Sequence, residues 1–408
     1  MTTTPPRDGH APFAPINRGI DAADPVRCAL RSAGPIVQVT APAGGPAWIV
    51  TDDALAREVC AHPRIVKDPA MAPTSWDHRI AGLEQTAARQ PSLTTLDGAA
   101  HARLRRAHAP LFSARRIREF CPRVHDIARR LLGEIAASGT VADLMADFTI
   151  RYPLTVLLDL LGIPLDRLDE AIEACRGMLD DEPTAQREAI AAIAGLAAAG
   201  LRDDEGGRPG GAAELRDRMP PDTTPEELHY HLFGLIFAGQ LTTDASIGFL
   251  IARLLDGSTT ESRLDFATSA DGSVSGSRPA AEPDTVDALV RETLRRNPPA
   301  PFTLWRFTTT EIELAGVRLP ARAPVLVDIQ GINTDPSRSP GPDLTFGAGA
   351  HYCIGAQLAL LELRAVASVL REDFPRARLT VPAAALRQSG RGGIQGTRLD
   401  VLPVALTG

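Results

Sequence analysis

The sequence predicts a mainly α-helical fold with a small β-rich part, on three observations. Helix-periodic stretches recur at residues 113–138, 144–161, 165–180, 185–203 and 357–369. Thr224-Pro225-Glu226-Glu227 is a capping box with proline at the first helical position, and it opens a long apolar helix reaching about Leu255. The β-favouring runs, by contrast, are short and broken by proline and glycine.

Taken in order, residues 1–20 read as a flexible N-terminal segment. Their first seventeen residues are polar and proline-containing, with no apolar leader and no run long enough to cross a bilayer. A soluble, cytoplasmic protein is the expectation. Residues 36–39 and 47–51 form a hairpin around Pro42, Gly44, Gly45 and Pro46. Asp52 caps a helix to about Ala61, which Pro63 stops. Residues 68–100 lack clear periodicity, and a loop that long is usually functional or disordered. Tyr152-Pro153 marks a kink or a break inside the second long helical stretch. Residues 206–221, rich in Gly and Pro, read as a loop. The helix to Leu255 is too polar at its ends and middle to span a membrane. Residues 256–283 are polar and Ser-rich and read as a flexible insertion. A further helix covers residues 284–296, and Glu313, Gly316 and Pro320 punctuate short strands beyond it. Residues 390–397 make a final turn. One domain spanning residues 1–408 accommodates all of this.

Composition narrows the function classes. The net charge of −7 leaves no electrostatic footprint for nucleic acid. Five scattered cysteines, Cys28, Cys60, Cys121, Cys175 and Cys353, match neither a zinc site nor a disulfide framework. Four of them read as bland thiols. Cys353 is different, because it closes the stretch Phe346-Gly-Ala-Gly-Ala-His-Tyr-Cys-Ile-Gly355, directly before the helical run 357–369. Gly347, Gly349 and Gly355 allow a tight turn close to a flat ligand. Backbone N–H groups and the positive end of the next helix ease a thiolate's charge, and a permanently ligated thiolate suits a haem iron.

Phe346-Gly-x-Gly-x-His-x-Cys-x-Gly355 resembles the haem-binding signature of the bacterial soluble cytochrome P450 family, and further motifs follow in the family's order. His101 and Arg105 lie one helical turn apart and resemble the family's propionate-binding pair, as do Arg306 and His351. Ala238-Gly239-Gln240-Leu241-Thr242-Thr243 resembles the oxygen-activating stretch of the central helix. There Gly239 lets the helix approach the haem, and Thr242 offers a hydroxyl. Glu292 and Arg295 match the family's structural ion pair, with Arg338 a candidate third partner. The resemblance implies a triangular helix-rich prism enclosing haem b (iron protoporphyrin IX), with Phe346, Gly347 and Gly355 shaping the loop and Cys353 ligating the iron. Trp76, Arg79, Ile80, Phe237, Leu241, Phe302 and Ile394 are the candidate pocket residues. Packing is the competing role for Trp76.

One departure matters. The position before the threonine pair is usually an acid in the family, and here it is Leu241. Asp244 reads as the partner of an arginine, and His229-x-His231 as pocket edge or surface. The resemblance implies a monooxygenase that takes a small-molecule or short-peptide substrate, O2, and electrons from a separate ferredoxin or flavodoxin. Arg103 and Arg364 are candidates to dock that carrier. Oxidative coupling of aromatic rings, as in crosslinking of Tyr, Trp or His side chains without oxygen insertion, is the alternative. A haem protein that binds ligand without turnover is the third reading.

Overall fold

A computed structural model describes residues 11–83, 86–139, 141–178, 182–201, 210–256 and 283–407. The expected insertion at 257–282 and the first ten residues lie outside the described residues. Helices α1 (Pro25–Ala33), α2 (Asp53–Ala61), α3 (His78–Ala81), α4 (Gly98–His108) and α5 (Ala114–Ser138) come first. Then follow α6 (Leu144–Asp147), α7 (Arg151–Leu161), α8 (Leu168–Gly177), α9 (Pro183–Gly200), α10 (Gly211–Arg218) and α11 (Pro225–Leu255). The last three are α12 (Pro283–Arg296), α13 (Ile329–Asn333) and α14 (Ala356–Asp373).

Local chemistry explains many of the ends. The side chains of Asp24, Asp52, Ser113 and Thr224 each accept a backbone N–H in the first turn of α1, α2, α5 and α11. At Thr224 the full capping box is present, with Glu227 bonding back to the cap N–H at 2.9 Å. The stretch 144–161 breaks before Tyr152-Pro153, not at it. α6 ends at Asp147, and Pro153 falls in the first turn of α7, where its missing N–H costs little. The supposed loop 206–221 contains α10, which packs beside α7 and α4. Gly210 and Gly162 touch backbone to backbone there, and a Cβ on either glycine would meet the other's Cα at 2.6 Å.

The expected hairpin is β2 (Ile36–Thr40) against β3 (Pro46–Val50). It joins a five-stranded sheet through the parallel partner β9 (Pro324–Val327), then β6 (Arg306–Thr308) and β4 (Ile65–Val66). Arg27 of α1 is buried and bonds Asp328, just past β9, at 2.6 Å, while its guanidinium lies 4.0 Å above the Phe302 ring. Burial raises the Asp328 carboxyl even so, as expected where desolvation competes with pairing.

The main core is helical. α11 crosses it, packing on α7, α9, α12 and α14, with residues such as Leu232, Ile236, Ile247 and Leu250 fully buried. By length and composition α11 does pass as a membrane-crossing helix, against the sequence expectation. Its burial identifies it as a core helix.

Candidate active site

The Cys353 loop is built by its own backbone. Gly347 and Gly349 sit at φ +74° and +69°, where a side chain is strained. A Cβ on Gly349 would also stand 3.1 Å from the Cys60 carbonyl oxygen of α2. The Gly347 N–H donates to the Leu344 carbonyl and the Cys353 N–H to the Phe346 carbonyl, each at 2.8 Å. Gly355 has ordinary φ and caps α14. By accessible area Cys353 is exposed, yet burial raises its thiol pKa. Both hold for a sulfur open on one side and crowded by protein on others. The Gly355 N–H, the Arg105 charge and the Ala356 N–H oppose that rise and favour the thiolate.

Beside this loop the structure gathers the cationic candidates. His101 is buried, its ring 4.1 Å from that of His351. Burial, with the charges of His351 and Arg105, holds the His101 imidazole down to about 4. Arg306, on β6, is buried, and its charge acts on both His351 and Asp97. Arg105 is half-buried on α4. His101 Nε2, His351 Nδ1 and Arg306 Nε are buried without hydrogen-bond partners. Arginine Nε atoms without partners recur elsewhere among the described residues, so the distinctive pair is the two imidazole nitrogens, whose rings meet beside the cysteine loop. Facing two carboxylates they would be satisfied, so the donor set fits the propionate edge of a haem, with Cys353 supplying the thiolate.

Sequence reasoning missed Asp97. Its Oδ1 lies 3.0 Å from His351 Nε2, and its Oδ2 accepts the Lys67 N–H at 2.7 Å. Burial alone would raise this carboxyl, but the hydrogen bonds from His351 and Lys67 outweigh it and hold it low. An Asp ahead of the α4 stretch reads as a helix cap, which hides the pairing.

On α11 the Thr242 hydroxyl donates to the Ala238 carbonyl at 2.7 Å, and the Ser246 hydroxyl donates to the Thr242 carbonyl at 2.9 Å. Ala238 is exposed, and Phe237, Leu241 and Thr242 are half-buried. Gly239 departs from its expected role. Its missing Cβ points at Leu157 of α7, which would lie 2.9 Å away, so this glycine serves helix packing. Asp244 is buried and 3.3 Å from Arg398, as expected for an arginine partner. Burial raises its carboxyl despite that arginine. His231 is neither pocket edge nor surface. It is buried edge-on to His108 of α4 at 5.1 Å, with its imidazole pushed down to about 3 by burial and by His108. Among the described residues no group of three or more metal-ligating side chains occurs.

The pocket candidates divide. Trp76 is buried, donates Nε1–H to the Gly44 carbonyl at 2.8 Å and packs edge-on to Trp305, so it takes the packing role. Phe302 is likewise core, beneath Arg27. Ile394 packs partly buried against that same cluster, whereas Ile80 and Arg79 stand exposed on α3. Leu304, missed by sequence, is 42% exposed between Phe302 and Arg306.

Glu292 and Arg295 pair in a fork at 2.6 and 2.8 Å, and Arg295 also bonds the Asn333 carbonyl at 2.7 Å. The third member is Arg296, not Arg338. Arg338 turns to Asp53 and to the carbonyls of Gly341 and Pro342. Hydrogen bonds from Arg295 and Arg296 hold the Glu292 carboxyl down to about 2. Arg364 is engaged by Asp287 at 2.6 Å and is not a free docking charge, whereas Arg103 is exposed.

Comparison with known proteins agrees with this geometry. The family profile described as Cytochrome P450 matches residues 212–344. The chain is 40% identical to Cytochrome P-450 monooxygenase DoxA of Streptomyces sp. (strain C5), with all of both chains covered. It is 30% identical to Cytochrome P450 monooxygenase PikC of Streptomyces venezuelae, over 94% of this chain and 91% of that one. Among solved structures, myxobacterial cytochrome P450 CYP267B1, crystallised with myristic acid, superposes with a TM-score of 0.78 at 25% identity, covering 94% and 96% of the two chains. A glycine-built cysteine loop, partnerless buried nitrogens beside it and full-length similarity at this level lead to one conclusion: the chain belongs to the cytochrome P450 family and is a haem-dependent monooxygenase.

Proposed function

We propose that the chain holds haem b, with Cys353 as the axial ligand and with His101, Arg105, Arg306 and His351 on the propionates, and that it hydroxylates a small organic substrate in bacterial specialised metabolism. The observation that carries this reading is the set of buried, partnerless nitrogens on His101, His351 and Arg306 around the Cys353 loop. Bound there, the haem supplies dioxygen activation, in which one oxygen atom enters a substrate C–H bond and the other leaves as water with two protons and two electrons.

The chain's own part is to bind, orient and move protons. The Gly355 N–H, the Arg105 charge and the Ala356 N–H oppose the rise that burial gives the Cys353 thiol and so favour the thiolate that iron ligation needs. Thr242 holds its hydroxyl against the Ala238 carbonyl and so offers an oxygen that accepts a proton and passes one on. No carboxylate stands at Leu241, and Asp244 is tied to Arg398, so the hydroxyl of Thr242 works with water or with substrate groups. Phe237, Leu241 and Leu304 supply half-exposed apolar surface for the substrate. Electrons come from a separate ferredoxin or flavodoxin, and the exposed Arg103 is a docking charge for it. The protein is cytoplasmic in this reading.

The test is product mass from labelled dioxygen with a reconstituted electron carrier. Gain of one labelled oxygen is the expected result. Loss of two hydrogens without oxygen gain would replace hydroxylation with oxidative ring coupling, which the leucine at 241 also suits.

A further inference from the structure

Asp97 stands at the N-cap of α4 but makes no capping hydrogen bond. An Asp at that position normally accepts the N–H two or three residues on, a bond worth about 1 kcal/mol. Here Gly98 follows at φ +58°, and the carboxylate turns away from its own helix. One oxygen takes the Lys67 N–H at the end of β4, at 2.7 Å, and the other takes His351 of the cysteine loop, at 3.0 Å. A single side chain thus ties together three segments that meet beside Cys353. The carboxylate only accepts, so His351 Nε2 carries the hydrogen and donates. The imidazole is then fixed with Nδ1 as its remaining polar atom, buried and without a partner, and Nδ1 donates to a second carboxylate when the ring carries a proton on both nitrogens. The ring is further held by His101 at 4.1 Å.

We propose that Asp97 is a positioning residue: it sets the ring of His351 for a carboxylate of the haem and so governs how long the cofactor is retained. This rests on the haem-binding reading above. Carboxylates that orient a metal-ligating imidazole are typically worth about tenfold to a hundredfold in metal affinity, and the same order is expected for an imidazole that holds a cofactor carboxylate.

The experiment measures haem transfer from the full-length holoprotein to an excess of a haem-free globin, at fixed pH, for wild type, Asp97→Ala, Asp97→Asn, His351→Ala and the Asp97→Ala/His351→Ala double variant. The reduced carbon-monoxide spectrum is recorded for each. Asp97→Ala is expected to lose haem about tenfold faster while keeping the thiolate-type spectrum. Asn offers the ring a polar partner and is expected to recover most of that loss. In the His351→Ala background the Asp97 substitution is expected to add nothing. Multiplicative effects in the double variant, or unchanged haem loss in Asp97→Ala, would overturn the proposal and leave Asp97 a tie for Lys67 alone. A wild type without a thiolate spectrum would instead sink the haem-thiolate reading itself.

Discussion

In the proposed site the cysteine loop and the Thr242 stretch of α11 are the two halves, and they are built in opposite ways. The loop builds its turn from its own backbone. Its two left-handed glycines, its short backbone bonds and the cap of α14 all fall within about a dozen residues of Cys353. The Thr242 stretch is ordinary helix, and its special features come from neighbours: Leu157 against Gly239 and Arg398 holding Asp244. A local turn sets the cysteine's backbone, and distant neighbours only pack against it, as Cys60 does, or add charge, as Arg105 does. A helix face acquires its chemistry only from what packs around it.

Four substitutions, in three tests, break or sharpen that contrast. The largest effect belongs to Cys353→Ser, which removes the one sulfur at the site. Complete loss of the thiolate-type carbon-monoxide band is expected, and a surviving band would mean another residue ligates the iron. Next comes Thr242→Ala. If the hydroxyl is the main proton-handling group on a face without an acid, product formed per electron consumed falls tenfold or more. The readout is the ratio of product to reductant used, and an unchanged ratio would assign the protons to substrate or water. The smallest effect compares two glycines by thermal unfolding. Gly349→Ala combines a left-handed φ with a backbone contact at 3.1 Å and is expected to cost about 1–2 kcal/mol. Gly239→Ala meets only the movable end of Leu157 at 2.9 Å and is expected to cost about 1 kcal/mol or less. Equal costs would contradict the claim that the loop is the stiffer of the two regions.

Much was legible before any coordinates. The cysteine loop, the capping box at Thr224, the hairpin at residues 36–51 and the Glu292–Arg295 pair are all short-range devices. Turn, cap and i,i+3 chemistry act between residues close in the chain, so their pattern shows in a one-dimensional string. The role of Gly239 was misread because a missing side chain does not say which neighbour needs the space. His231 looked peripheral because nothing in its own helix predicts a partner on α4.

What the sequence by itself determined was the helical class, the family and the order of the motifs. The tertiary structure alone decided the rest. It placed Asp97 on His351 across 254 residues, turned Arg338 away from Glu292 to Asp53, committed Asp244 to Arg398, and buried an α11 apolar enough for a membrane. The physical reason is common to all four. A charge or an apolar face has no intrinsic partner, and packing chooses among many chemically equal ones the neighbour that burial brings within reach.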